Sequence, residues 1–246
     1  MMTEFPAKRS GWPRGVLWVM GLLPPFFWAA SFWCSQAHED TFLFLANEDG
    51  VIETGQALLY LVAVGLSAAL TWTLRQRGEW RWAIAYGLVT LGLGWVASEE
   101  ISWGQRLFHV ETPAWFAARN TQGEMNLHNL PSVANALKNV NSYGSLAAIV
   151  LSLVSLRMNG RALANWRAHL WIPHPALIPA WLCVLSYSGL RLLYRWSHPE
   201  ARGVSRVVSR LQEPAELILV LALMTFLVMA LVQVQWNNRQ QRIQRA

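Results

Sequence analysis

The 246-residue chain has only two cysteines, and only 14% of its residues are charged. A soluble domain carries about 25% charged residues, so this shortage excludes an ordinary globule surrounded by water. Both cysteines, Cys34 and Cys183, lie in apolar stretches, which fits small buried hydrophobes better than a disulfide. The chain has no Walker loop, HExxH, GxSxG, GxGxxG or cysteine-rich metal pattern. It has no internal repeat and no low-complexity segment. The net charge is +6, but the basic residues are scattered through short connectors rather than forming a stripe, which argues against a nucleic-acid partner. The first apolar stretch lacks a small-residue exit site and is expected to be retained.

What is abundant is apolar surface: 54% of residues are hydrophobic, and 15 are tryptophan. Several windows reach the roughly 20 apolar residues that cross a bilayer core. The expected fold is all-α: a polytopic membrane protein with a single integral domain of six transmembrane helices. The spans run approximately Val16–Cys34, Val51–Leu74, Trp82–Ser98, Tyr143–Leu156, Pro175–Tyr194 and Pro214–Gln235. Pro24-Pro25 should bend or break the first. The fourth should extend backward through Pro131–Asn141. A long loop, residues 99–142, joins spans 3 and 4, and a loop of this length in a compact bundle is usually functional. Within it, Thr112-Pro113 reads as an N-cap and first helical residue of a short helix to Arg119.

Orientation follows from lysine and arginine. Lys8, Arg9, Arg14, Arg75, Arg77, Arg81, Arg157, Arg161, Arg167, Arg239, Arg242 and Arg245 fall on one side of a six-span chain, which places both termini in the cytoplasm. Twelve of the fourteen carboxylates fall on the other side, all except Glu4 and Glu79. His38, His109, His128 and His198 join them there. Before span 6, Val204, Val207, Val208 and Leu211 share a helical face while Arg202, Arg206 and Arg210 share another, a short amphipathic helix that either lies flat at the interface or packs on the bundle with its arginines solvated.

Any chemistry should therefore sit on the outer rim. If span 3 continues as a helix, Glu99, Ser102 and Arg106 share a face and Glu100 points elsewhere; an internal Glu99–Arg106 pair is the plainer alternative. Gln105 and Asn126 add polar groups. Glu124 and His128, four apart, could share one face and bind a divalent metal, or act as base and orienter. His109 is a further candidate ligand. Asp49 with Glu48 precedes span 2, and Glu53, Gln56 and Tyr60 run down one face of it, a polar stripe that should face the bundle interior or a water-filled cavity. Arg191, near the outer end of span 5, could pair with Glu53, Glu99 or Glu100, or hold a phosphate. Glu213 and Glu216 read as an N-cap and its N3 acid.

The segments Glu99-Glu100-Ile101-Ser102-Trp103-Gly104-Gln105-Arg106, Glu111-Thr112-Pro113, Gln122-Gly123-Glu124 and Asn126-Leu127-His128-Asn129 resemble the signature of a group of uncharacterised multi-pass bacterial inner-membrane proteins. A looser likeness is to membrane-embedded metal hydrolases of the alkaline-ceramidase and adiponectin-receptor type, which hold zinc among helix-end histidines and acids. Those enzymes carry a paired His-x-x-x-His on a late span, and no such pair exists here.

Three functions fit the sequence. The first is a metal-dependent hydrolase or transferase acting on a lipid or lipid-linked substrate. Glu124, His128, His109 and Glu99 would hold zinc or a similar ion, Glu100 or Glu99 would act as base, and Arg106 and Arg191 would assist. The second is an envelope-biogenesis partner that docks another membrane protein on the long loop. The third is a small ion-coupled transporter. Membrane lipids are expected partners in each case.

Overall fold

A computed structural model describes residues 12–47, 50–105, 108–120, 123–158, 165–200 and 204–245. Glu4, Lys8, Arg9, Glu48, Asp49, Arg106, Gln122, Arg161 and Arg202, all singled out above, lie outside the described residues. Among the described residues every regular element is helical. In chain order these are α1 (Arg14–Ala37), α2 (Glu39–Leu45), α3 (Val51–Gln76), α4 (Trp80–Glu100), α5 (Ala114–Ala117), α6 (Pro131–Arg157), α7 (Ile178–Ser197), α8 (Arg206–Arg210) and α9 (Gln212–Arg245). Short 3-10 turns at Trp166–Leu170 and Pro175–Leu177 lead into α7.

Five helical runs are long and apolar enough to cross a membrane: Arg14–Ala37, Val51–Gln76, Pro131–Arg157, Trp166–Ser197 and Arg206–Gln240. The chain is thus a multi-pass membrane protein. Helix α4, expected as the third of six spans, is outside this set. Trp80, Trp82, Tyr86, Gly87 and Thr90 lower its hydropathy although its 21 residues cover about 31 Å. Helix α1 runs unbroken through Pro24 and Pro25. Proline's own φ is helical, and membrane helices tolerate the lost donors. Helix α6 begins at Pro131, as its polar N-terminal extension suggested.

Helix α3 packs along α4 and α9, while α9 also meets α7 and α1, which makes it the central column. Helix α6 packs chiefly on α7. Small residues (Ala57, Ala63, Ala83, Ala97, Ala230) are buried at the contacts and let backbones approach, the usual solution where lipid removes the hydrophobic drive. Polar groups add links: Thr90 Oγ1 donates to Ser67 Oγ at 2.9 Å, and the Tyr86 hydroxyl donates to the Leu170 carbonyl at 2.6 Å. At the end of the bundle carrying the basic connectors, Arg77 donates to the Val234 carbonyl at 2.9 Å and lies 4.4 Å from the centre of the Trp166 ring; Arg167 pairs with Glu79. At the opposite end, the site lies among α3, α4, α6, α8 and α9.

Candidate functional site

Two structures occupy that end. The first is a clamp made by the signature residues. Helix α4 does not continue past Glu100. Ser102, Trp103 and Gly104 follow with φ of 47°, 57° and 74°, a left-handed turn. Left-handed geometry costs about 1–2 kcal/mol per non-glycine residue, so Ser102 and Trp103 persist only because their side chains are held. The Trp103 indole donates to Glu99 Oε1 at 2.7 Å, and the backbone N–H groups of Leu127 and His128 donate to Glu99 Oε2 at 2.6 and 2.8 Å. The Glu99 side chain is 1% exposed. Beside it, Ser102 donates to the Glu124 carboxylate, Asn126 Nδ2 reaches Glu124 at 3.0 Å and Ser102 Oγ at 2.9 Å, and Asn120 donates to Asn126 Oδ1 at 2.7 Å. Gln105 accepts from the Met125 N–H at 2.7 Å and donates to Thr112 Oγ1. The loop is thereby tied to the end of α4. Burial alone would raise the Glu99 pKa, but the His128 imidazole, the Trp103 indole and the two backbone N–H groups outweigh it and hold Glu99 below the ordinary carboxylate range.

This geometry differs from several expectations. With α4 ended, Glu99 and Ser102 meet through a turn rather than along a helical face. Residues 123–130 are bends and turns, so Glu124 and His128 share no helix face. The hydroxyl of Thr112 is engaged by Gln105, and α5 lacks a side-chain cap. His109 is exposed, with φ of 51°. Among the described residues, no three His, Cys, Asp or Glu side chains are grouped as a metal ion requires.

The second structure is a cavity of about 570 Å³ behind the clamp. Five carboxylates line it: Glu53 from α3, Glu99 and Glu100 from α4, and Glu213 and Glu216 from α9. Lys138 from α6 and Arg206 and Arg210 from α8 face it too, with His128 at its rim. Burial, then the carboxylates of Glu216, Glu213, Glu53 and Glu99, hold Glu100 well above the ordinary carboxylate range; it stands just past the apolar run ending at Ser98. Gln212 donates to Glu216 Oε1 at 2.8 Å, Asn141 lies 3.5 Å from the same oxygen, and the Tyr187 hydroxyl donates to Gln212 Oε1 at 3.3 Å. Gln56, fully buried, donates to the Glu213 carbonyl at 2.6 Å. His128 Nδ1 is 3.6 Å from Glu99 Oε2 and, among the described residues, has no partner within hydrogen-bond distance.

Of the residues picked from sequence, Glu53, Glu99, Glu100, His128 and Tyr60 line the cavity. Glu124, Ser102, Gln105 and Asn126 belong to the clamp. Arg191 lies outside the lining, 5.8 Å from the centre of the Tyr187 ring, and among the described residues pairs with none of Glu53, Glu99 or Glu100. Lys138, Asn135 and Asn141 were missed. They recur every three residues, one helical face, and that signal was present in the polar start of α6. Glu213 and Glu216 are in the first turns of α9 and face the cavity, where an N-cap and its N3 acid were expected. Helix α8 is capped by Ser205, whose hydroxyl accepts from Val208 N–H at 3.2 Å, and Val207 and Leu211 pack against Phe42 and Tyr187. Arg206 and Arg210 of this helix line the cavity. No protein-family model, curated protein or solved structure matches this chain.

Proposed function

We propose that the chain is a membrane enzyme, a hydrolase or transferase acting on the polar part of a lipid or lipid-linked substrate. In this reading α4 is a sixth span, the basic connectors face the cytoplasm of a bacterium, and the cavity opens on the outer face of its inner membrane. The observation that carries it is the convergence of Glu53, Glu100, Glu213 and Glu216, from three helices, on one cavity that also holds Lys138 and Arg210. Ionisable groups at membrane depth are costly and mark function. A cavity of this volume is in the range of small-molecule sites, about 300–1,000 Å³.

The roles are assigned by position in the cavity. Glu100, at the end of α4, serves as general acid to a leaving oxygen. Glu216 or Glu213, on the facing wall, takes the proton from water or an acceptor hydroxyl. Lys138 and the α8 arginines offset negative charge on the substrate. Among the described residues no three donors are grouped for a metal ion, and the steps above are written for the carboxylates.

The test is purified protein in nanodiscs of bacterial lipid extract, with products followed by mass spectrometry. A product expected from the wild type should be lost in Glu216→Gln and Glu100→Gln at unchanged melting temperature, and should survive chelator. No change in any lipid species with wild-type protein refutes the enzyme reading; loss of turnover in chelator restores the metal. A docking role has one observation in its favour: Phe108, Val110 and Trp115 are exposed on the outer loop. Crosslinking through Trp115 to one stoichiometric partner would support it.

A further inference from the structure

The cavity walls differ in charge. The α3 and α9 walls present Glu53, Glu213 and Glu216. The α6 and α8 walls present Lys138, Arg206 and Arg210. Lys138 is in electrostatic reach of Arg191 and Arg195 on α7 and also of Glu216 and Glu213 across the cavity. A uniformly acidic cavity would suit a simple cation, and a uniformly basic one a phosphate. This one holds both signs at once, the acids on α3, α4 and α9 and the cations on α6 and α8.

Among the described residues no three of these donors are grouped for a metal ion. Carboxylates from different helices around one cavity match an organic ammonium, which donates three hydrogen bonds in different directions. Tyr60 and Trp95 line the same cavity, and aromatic faces attract ammonium groups. Asn135, Asn141 and Gln212 supply further acceptors.

We propose that the cavity recognises a headgroup carrying both a phosphate and a primary ammonium, the phosphate against Lys138, Arg206 and Arg210 and the ammonium against Glu53, Glu213 and Glu216. This rests on the reading that the cavity receives a polar headgroup, and it names the class. The same chemistry occurs in an aminophospholipid and in a free aminoalkyl phosphate; the location of the cavity at the end of the membrane-crossing helices favours the lipid.

The experiment is native mass spectrometry of the full chain in detergent, titrated separately with short-chain phosphatidylethanolamine, phosphatidylglycerol, phosphatidylcholine and soluble phosphoethanolamine. Phosphatidylethanolamine should bind about tenfold or more tightly than the other two lipids, the effect of about one charge-assisted hydrogen bond. Glu213→Gln and Lys138→Gln should each remove that preference, with melting temperature as the control for folding. Preference for phosphatidylethanolamine over the soluble compound assigns the ligand to the membrane; equal affinity assigns the same chemistry to the aqueous phase. Equal binding of phosphatidylethanolamine and phosphatidylglycerol overturns the proposal, as does an unchanged preference in folded variants. Because the readout is binding, turnover of another lipid class would leave the enzyme reading standing while this one fails, and preferential binding without turnover would do the reverse.

Discussion

Removing the Glu99 carboxylate should release residues 123–130 from the end of α4. Its two oxygens accept three hydrogen bonds, from the Trp103 indole and from the N–H groups of Leu127 and His128. Glutamine keeps the shape but turns one oxygen into a donor. With its carbonyl toward the two backbone N–H groups, its amide meets the indole donor to donor; flipped, it meets both backbone donors. At least one charge-assisted bond is lost, worth about 1.5–3 kcal/mol, and one buried donor is left unsatisfied, so Glu99→Gln should cost about 2–4 kcal/mol of local stability. Hydrogen exchange reads this directly: the Leu127 and His128 amides should exchange about 30-fold faster or more, since about 1.4 kcal/mol is a factor of ten. Trp103→Phe, which spares both backbone bonds, should give a smaller effect. The interaction also has a pH sign. Because the folded pKa of Glu99 lies below its unfolded value, the clamp's contribution is complete above the unfolded carboxylate value of about 4.3 and is lost as pH falls through the folded value. Protection of these two amides should therefore be flat near neutrality and erode only in acid. Unchanged exchange at Leu127 and His128 in a folded Glu99→Gln protein would refute the clamp.

Tyr86→Phe removes the bond to the Leu170 carbonyl and should cost about 1–2 kcal/mol in thermal or denaturant unfolding, because that acceptor is buried against α4. Gly50→Ala should lower the melting temperature clearly, since an added Cβ would meet the Leu45 carbonyl oxygen at 2.5 Å and that of Asn47 at 2.7 Å, with no flexible side chain to yield. Glu79→Ala should shift stability by less than about 1 kcal/mol despite its close pairing with Arg167, whose side chain is 46% exposed.

The membrane class was legible in the sequence because it depends on composition and run length alone. The polar stripe of Glu53, Gln56 and Tyr60 was legible for a related reason: a helix period shows which residues share a face, and lipid forbids that face to point outward. The chain beyond Glu100 was not legible. Extending the helical period through Ser102 and Trp103 assumed right-handed backbone, whereas the side-chain bonds to Glu99 and Glu124 stabilise a left-handed turn that no periodic reading anticipates. That error moved Glu124 from the presumed metal site to the clamp. Glu213 and Glu216 were misread because a local cap pattern explained them without help from elsewhere in the chain. Their actual neighbours, Gln56, Asn141 and Lys138, are 75 or more residues away in sequence, and only tertiary packing brings them together.

In the proposed enzyme labour is divided: clamp residues hold the loop and cavity residues do the chemistry. Product formation per folded molecule, measured on one series of variants in nanodiscs, tests it most directly. Glu100→Gln, Glu213→Gln and Glu216→Gln should lose product formation while melting close to wild type, and Ser102→Ala and Glu124→Gln should melt lower while each remaining folded molecule keeps its activity. A Glu124→Gln protein that melts like wild type yet forms no product, beside a fully active Glu216→Gln, would contradict it.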